Sequence, residues 1–146
     1  MYVCEIEFGS PLYAQTIELR EELLRIPLGL QFSPEELMVE MDQMHIACYN
    51  SMDELLGCLV LIDLGNHTVK MRQVAVNQKI QSNGIGTFLV KETEQICKKK
   101  GYNHIVLNAR ETAVNFYEKM KYSVISDRFE EVSIPHFKME KYLEIE

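Results

Sequence analysis

Tryptophan is absent from this chain of 146 residues, and proline and cysteine occur only four times each. The cysteines, Cys4, Cys48, Cys58 and Cys97, stand far apart inside apolar runs, with no Cys-x-x-Cys and no Cys/His pairing. That spacing excludes a zinc module or a disulfide scaffold and is expected of buried thiols in a reducing compartment; no metal site is expected. Apolar runs of membrane-span length are missing, and the start Met1-Tyr2-Val3-Cys4-Glu5 has neither a basic region nor an apolar signal core. The chain is therefore expected in the cytoplasm, with no membrane partner. Basic residues are scarce too: 15 Lys and Arg against 22 Asp and Glu leave a net charge of −7. Phosphate backbones need concentrated Lys and Arg, so nucleic acid is excluded as a main partner, while a cationic amine remains compatible. No repeat, low-complexity tract or linker interrupts the chain. A composition of 47% apolar and 25% charged residues is that of an ordinary globular protein. A single domain over residues 1–146 is expected.

What is present centres on the run from Val74 to Leu89. An alternating strand enters a polar loop, and Gly84-Ile85-Gly86 opens a helix. First-turn amides of a helix lack partners within it, and the dipole makes that end partly positive. Glycines allow an anion close to such a backbone, so Gln81-Ser82-Asn83-Gly84-Ile85-Gly86 reads as a pyrophosphate cradle. A plain strand-to-helix turn is the alternative reading of a Gly-x-Gly. A P-loop would require Gly-Lys-Ser/Thr, but Gly86 is followed by Thr87-Phe88; a dinucleotide fingerprint would require three glycines after the first strand. Neither fits.

Around this run the pattern alternates. Residues 2–8 form a half-buried strand, and Gly9-Ser10-Pro11 starts a helix with Leu12, Thr16, Leu19 and Leu23 on one face. Ser33-Pro34-Glu35-Glu36 is a helix start with a capping serine, proline at the first position and glutamate three residues on, followed by Leu37, Met38 and Met41 as its stripe. Strands are expected over 45–50, 55–62 and 68–76, with Met71, Gln73 and Ala75 sharing a face unless a bulge intervenes. The helix from Gly84 buries Ile85, Phe88, Leu89 and Ile96 and ends in Lys98-Lys99-Lys100 before Gly101. That basic cluster suits the C-terminal dipole, and a 3′-phosphate is its other candidate partner. A strand over 104–108 precedes a helix capped by Thr112, on which Ala113, Phe116, Tyr117 and Met120 share a face. Closing strands over 122–126 and 137–142 flank a charged loop from Asp127 to Ser133.

The signature Gln/Arg-x-x-Gly-x-Gly/Ala, present as Gln81 to Gly86, follows a strand ending Arg72-Gln73-Val74-Ala75-Val76. It precedes Phe116-Tyr117-Glu118-Lys119-Met120-Lys121-Tyr122. Together these resemble the GNAT superfamily of acetyl-CoA-dependent N-acetyltransferases, over nearly the whole chain and most specifically from Met71 to Tyr122. The run Glu131-Val132-Ser133-Ile134-Pro135-His136 resembles the ending of the ElaA-like branch. The resemblance implies an α/β (α+β) fold: one mixed, mostly antiparallel twisted sheet of about six to seven strands flanked by about four helices.

It also implies roles. Acetyl-CoA would be the co-substrate, its pantetheine arm bound by the backbone of Val74, Ala75 and Val76 like an added strand, and its carbonyl polarised by an N–H of Val74 or Val76. Tyr117 matches the tyrosine that protonates the coenzyme A sulfur; a core aromatic is its other reading. Glu131 and His136 are candidates for the base, directly or through water, beside proton loss to solvent. Asn108 and Arg72 are candidates for positioning cofactor or substrate. The acceptor would be a primary amine of a small molecule or protein, and a homodimer is within the family's habits. An acyl-CoA-binding sensor without turnover is the alternative function. Three departures stand out: Arg110 where the family often has asparagine, Lys121 where glycine precedes the aromatic, and Ser133 for the glycine of the ElaA-like ending.

Overall fold

The computed structural model describes residues 1–77 and 84–144. The fold is mixed α/β, with an open eight-stranded sheet and four α-helices among the described residues. The chain divides into two compact units, Met1–Ile62 with Gln73–Thr93, and Asp63–Arg72 with Glu94–Glu146.

In the first unit, β1 (Tyr2–Ile6) pairs antiparallel with β2 (Met44–Tyr49), and β2 with β3 (Leu55–Gly65). Helix α1 (Pro11–Arg20) begins where the Ser10 hydroxyl accepts the Tyr13 N–H at 3.2 Å. The buried face is Tyr13, Thr16, Leu19 and Arg20, and Leu12 points outward. Of the expected stripe Thr16, Leu19 and Leu23 face the core and Leu12 does not, and beyond Arg20 the winding changes. Glu21–Arg25 is a π-helical segment, closed by the Ile26 N–H on the Glu21 carbonyl, and it sets both Leu23 and Leu24 against Leu19, Cys58 and Ala75. Helix α2 (Pro34–Met38) has the expected capping box: the Ser33 hydroxyl accepts from the Glu36 N–H at 3.1 Å, and the Glu36 carboxylate accepts from the Ser33 N–H at 3.2 Å. Its expected apolar stripe is not buried, since Met38 and Met41 are exposed. Between these segments lies a buried ion pair. Arg20 donates to both oxygens of Glu40, Tyr13 donates to Oε1 of the same carboxylate, and the Arg20 and Arg25 guanidinium groups lie 4.7 and 4.4 Å from the Phe32 ring centroid.

Strand β4 (Thr68–Val76) and helix α3 (Ile85–Lys99) each run through both units. In the first unit, Gly57 of β3 brings the backbone of β4 and the side chain of Leu89 close: a Cβ there would lie 3.0 Å from the Ala75 carbonyl oxygen and 3.3 Å from Leu89. Glycine at that position lets α3 seat against the ribbon that carries Ala75.

In the second unit β4 pairs in parallel with β5 (His104–Arg110), from Thr68–His104 to Met71–Leu107. Strand β5 pairs antiparallel with β8 (Ile134–Tyr142) over seven residues, and β8 also pairs with β6 (Ser123–Val124) and β7 (Phe129–Glu131). Strand β7 replaces much of the charged loop expected from Asp127 to Ser133, because the β7–β8 hairpin closes on Val132 and Ser133 and starts β8 early, at Ile134. Helix α4 (Val114–Glu118) follows a 3₁₀ turn over Glu111–Ala113, so Thr112 lies inside that turn rather than capping the helix. Tyr117 and Met120 are buried as expected. Tyr122 donates to Glu94 at 2.8 Å, and Lys141 donates to the other Glu94 oxygen at 2.9 Å.

Two of the family departures fall where the backbone favours glycine. Lys121 ends α4 at φ 76, in a C-terminal cap where the Tyr122 N–H reaches the Tyr117 carbonyl at 3.1 Å. Ser133 has φ 63 and its neighbour Val132 φ 46, the signs of a primed hairpin turn. Ser133→Gly is expected to stabilise the protein by about 0.5–1 kcal/mol, read as a rise in the urea midpoint at unchanged slope. A lower midpoint would show that the Ser133 side chain contributes more than its backbone conformation costs.

Candidate functional site

Of the expected cofactor residues that the structure describes, Val74, Ala75, Val76, Gly84, Ile85 and Gly86 lie in the first unit and Asn108 in the second; Gln81, Ser82 and Asn83 lie outside the described residues. Gly84 has φ 85, a left-handed conformation that favours glycine, and no atom of the described residues beyond its chain neighbours lies within 4 Å of where its Cβ would stand. Its carbonyl accepts the Phe88 N–H at 2.9 Å, so α3 starts directly after it. The amides of Ile85, Gly86 and Thr87 then have no carbonyl partner within the helix, at the positive end of a helix of 15 residues. Ile85 is buried and anchors this turn, while Gly86 is half-buried in helical backbone. A diphosphate suits a helix start of this kind, where the first-turn amides lack partners within the helix.

Strand β4 arrives at the same unit with an irregularity. Gln73 has φ 55, a left-handed residue in the middle of a strand. The ladder to β5 comprises four residue pairs and ends at Met71, whereas β4 continues through Arg72 and Gln73 to Val74, Ala75 and Val76. Ala75 is buried against Leu19 and Cys58, which fixes the orientation of this tail. Val74 and Val76 are half-buried. Asn77 then closes the strand, its N–H donating to the Leu56 carbonyl at 2.7 Å. A backbone edge beyond the last ladder pair is the geometry that an added strand uses.

The remaining candidates lie in the second unit. Tyr117 is buried, edge-on to Phe116 at 5.0 Å and to Tyr122 at 5.6 Å between centroids. Burial pushes its phenol up to about 12, so it keeps its proton at neutral and mildly alkaline pH. The Tyr122 hydroxyl is committed to Glu94, while the Tyr117 hydroxyl has no hydrogen-bond partner among the described residues. His136 lies inside β8. Its ring is buried and stacked on Phe129, its Nδ1 lies 2.7 Å from the Ile134 carbonyl oxygen, and its Nε2 lies 3.5 Å from a Glu131 carboxylate oxygen. The carbonyl oxygen can only accept, so Nδ1 is the donor in that contact. Glu131 and His136 are thus brought together on the β7–β8 hairpin. Asn108, half-buried on β5, faces Lys138 in the ladder, and Arg110 faces His136.

Residues 18–143 match the family described as the acetyltransferase (GNAT) domain. The chain belongs to the GNAT family of acetyltransferases. Among curated relatives of this GNAT chain, the uncharacterised N-acetyltransferase YjcF of Bacillus subtilis is 34% identical over 73 residues, 49% of this chain and 52% of that protein. The match spans about half the length of such relatives. Among solved structures, ElaA of Escherichia coli superposes with a TM-score of 0.77 at 19% identity, covering 96% of this chain and 98% of that one. An aminoglycoside 6′-N-acetyltransferase in complex with coenzyme A gives 0.78 at 19% identity, covering 97% of each. These likenesses show that the GNAT fold is shared.

One residue escaped the reading of the sequence. Gln73 pairs its left-handed backbone with a side-chain Oε1 that is buried and has no hydrogen-bond partner among the described residues. Its sequence signal was modest: a polar residue between Met71 and Ala75, both buried, on what alternation makes one face. Among the described residues no cluster of His, Cys, Asp and Glu is arranged to hold a metal ion. No helix among them is long and apolar enough to cross a membrane.

Proposed function

We propose that residues 1–146 form one acetyltransferase domain that moves the acetyl group of acetyl-CoA to a primary amine of a small molecule or protein by direct attack in a ternary complex. The observation that carries this reading is that one unit holds both the tail of β4 beyond its ladder with β5 and the glycine-opened start of α3. The first suits a pantetheine arm and the second a diphosphate, the two recognition elements that coenzyme A requires.

The first-turn amides of α3, with Gln81 to Asn83 before them, take the diphosphate. The backbone of Val74, Ala75 and Val76 holds the pantetheine arm, and the N–H of Val74 or Val76 donates to the thioester carbonyl oxygen as negative charge develops there. The amine lone pair forms the C–N bond, the C–S bond breaks, and its electron pair goes to sulfur. Tyr117 donates its proton to that sulfur. The proton lost by the nitrogen passes to Glu131 and His136 or to solvent, and the phenol is refilled from the same pool. Overall, amine and thioester become amide and thiol. Asn108 is assigned to cofactor positioning from β5.

Tyr117→Phe tests the assignment. Turnover, read as free thiol released, should fall about 10²–10⁴-fold. Acetyl-CoA affinity should stay near wild type. A variant with wild-type turnover would reassign Tyr117 to packing against Phe116 and Tyr122. Tight coenzyme binding by the wild-type chain without thiol release from any amine would favour the sensor function instead.

A further inference from the structure

We propose that Gln73 is a substrate-binding residue, its side-chain Oε1 accepting a hydrogen bond from the acceptor amine; this rests on the transferase reading above. Gln73 costs the fold stability twice. A left-handed φ of 55 in the middle of a strand is strained for a residue with a Cβ, and a buried amide oxygen without a partner gives up a hydrogen bond that water would supply. Both costs fall on the residue directly before Val74. Such coincidences of backbone strain and unsatisfied polarity accompany functional positions, where a ligand supplies what the fold withholds. A bulged residue also re-aims its side chain relative to its neighbours in the strand.

The chemistry selects the ligand group. A carbonyl oxygen accepts only, so the partner must donate, which rules out the thioester carbonyl and the phosphates. Within acyl-coenzyme A the donors near the thioester are the pantetheine amides, and those are the groups that an added strand pairs with backbone at the strand edge. Strand side chains stand off that edge, out of the plane of its hydrogen bonds. The amine remains: it reaches the thioester carbon with N–H donors to spare. One of them on Gln73 would leave the lone pair free for attack on the carbonyl polarised at Val74 or Val76. An amine that arrives as an ammonium ion makes that bond charge-assisted.

The test uses Gln73→Met, which keeps length and removes the acceptor, and Gln73→Glu, which keeps an acceptor and adds charge. Three quantities are read on the full chain: amine KM by thiol release, acetyl-CoA Kd by calorimetry, and Tm. The amine used is the best turned over in a panel from simple alkylamines to peptides with free amino groups. For Gln73→Met, amine KM should rise roughly tenfold or more. Its acetyl-CoA Kd should stay within about twofold, and its Tm should equal or exceed that of the wild type. For Gln73→Glu, the KM should hold or fall, and the acid limb of the kcat/KM profile should move to higher pH, because a carboxylate stabilises the ammonium form. Should Gln73→Met fail to fold, Gln73→Gly removes the same acceptor and adopts the left-handed backbone without strain. An unchanged amine KM in an active, folded variant overturns the inference and leaves the transferase reading standing. So does an acetyl-CoA Kd that weakens as much as the amine KM. A wild-type chain that transfers acetyl to no amine overturns both.

Discussion

Gly86→Glu should give a folded protein that no longer binds coenzyme A. The residue is the second of α3 and has helical backbone, so replacing glycine recovers about 0.5–1 kcal/mol of chain entropy. A carboxylate in the first helical turn adds about 0.3–1 kcal/mol through the dipole. The same charge stands where a diphosphate would meet the amides, and repulsion there should weaken binding on the order of 100-fold or more. Stability and affinity thus move in opposite directions, which separates this outcome from simple damage. The measurement is calorimetric titration with coenzyme A and acetyl-CoA beside a thermal melt. Wild-type affinity in the stabilised variant would mean that the first turn of α3 does not hold the coenzyme. Gly84→Glu is the poorer probe, because at φ 85 any side chain adds strain of its own.

The largest stability effect should come from Glu40→Ala. Arg20 and Glu40 pair at 2.8 and 2.5 Å with side chains 1% and 3% exposed, and Tyr13 donates to the same carboxylate at 2.9 Å. Removing the carboxylate strands a guanidinium out of water and should cost about 3–5 kcal/mol. For a chain of this size that corresponds to a Tm lower by roughly 6–20 °C. The paired replacement Arg20→Met with Glu40→Leu should recover most of the loss, since well-packed apolar residues often match a buried ion pair. Urea unfolding of the wild type, the single variant and the pair checks both claims. A single-variant loss below about 1 kcal/mol would show the guanidinium to be rehydrated easily. The network has a functional side as well: α1 carries Leu19, which packs with Ala75 of the candidate cofactor strand.

How much of this was readable in the residues depends on how local the cause is. The α2 capping box, the course of β4 from Thr68 to Val76 and the face shared by Tyr117 and Met120 follow from short-range spacing, and the structure has them. Gly84 was legible as an opening because its chemistry is local to one turn. Pattern reading failed where the phase changed. A π turn after Arg20 shifts everything beyond it, so Leu23 is joined by Leu24. Strand β7 has no apolar alternation to announce it, only a partner in β8. Gln73 looked like one more strand residue because a left-handed φ leaves no mark on composition. The roles of Tyr117, Glu131 and His136 came from resemblance; the structure adds that the last two meet and that the first keeps its proton.

The π turn over Glu21–Arg25 has a consequence for how this chain can diverge. It holds one residue more than an α-helical path between the same ends, so losing a single codon there would restore the ordinary winding. Such a deletion would leave both flanks in place and take away one of the two leucines, Leu23 or Leu24, that now pack beside Ala75. The wall beside the candidate cofactor strand can therefore be re-cut in one genetic event, with no side chain replaced. Acceptor preference in descendants of this sequence is expected to track the length of that turn more closely than the identity of any residue in it.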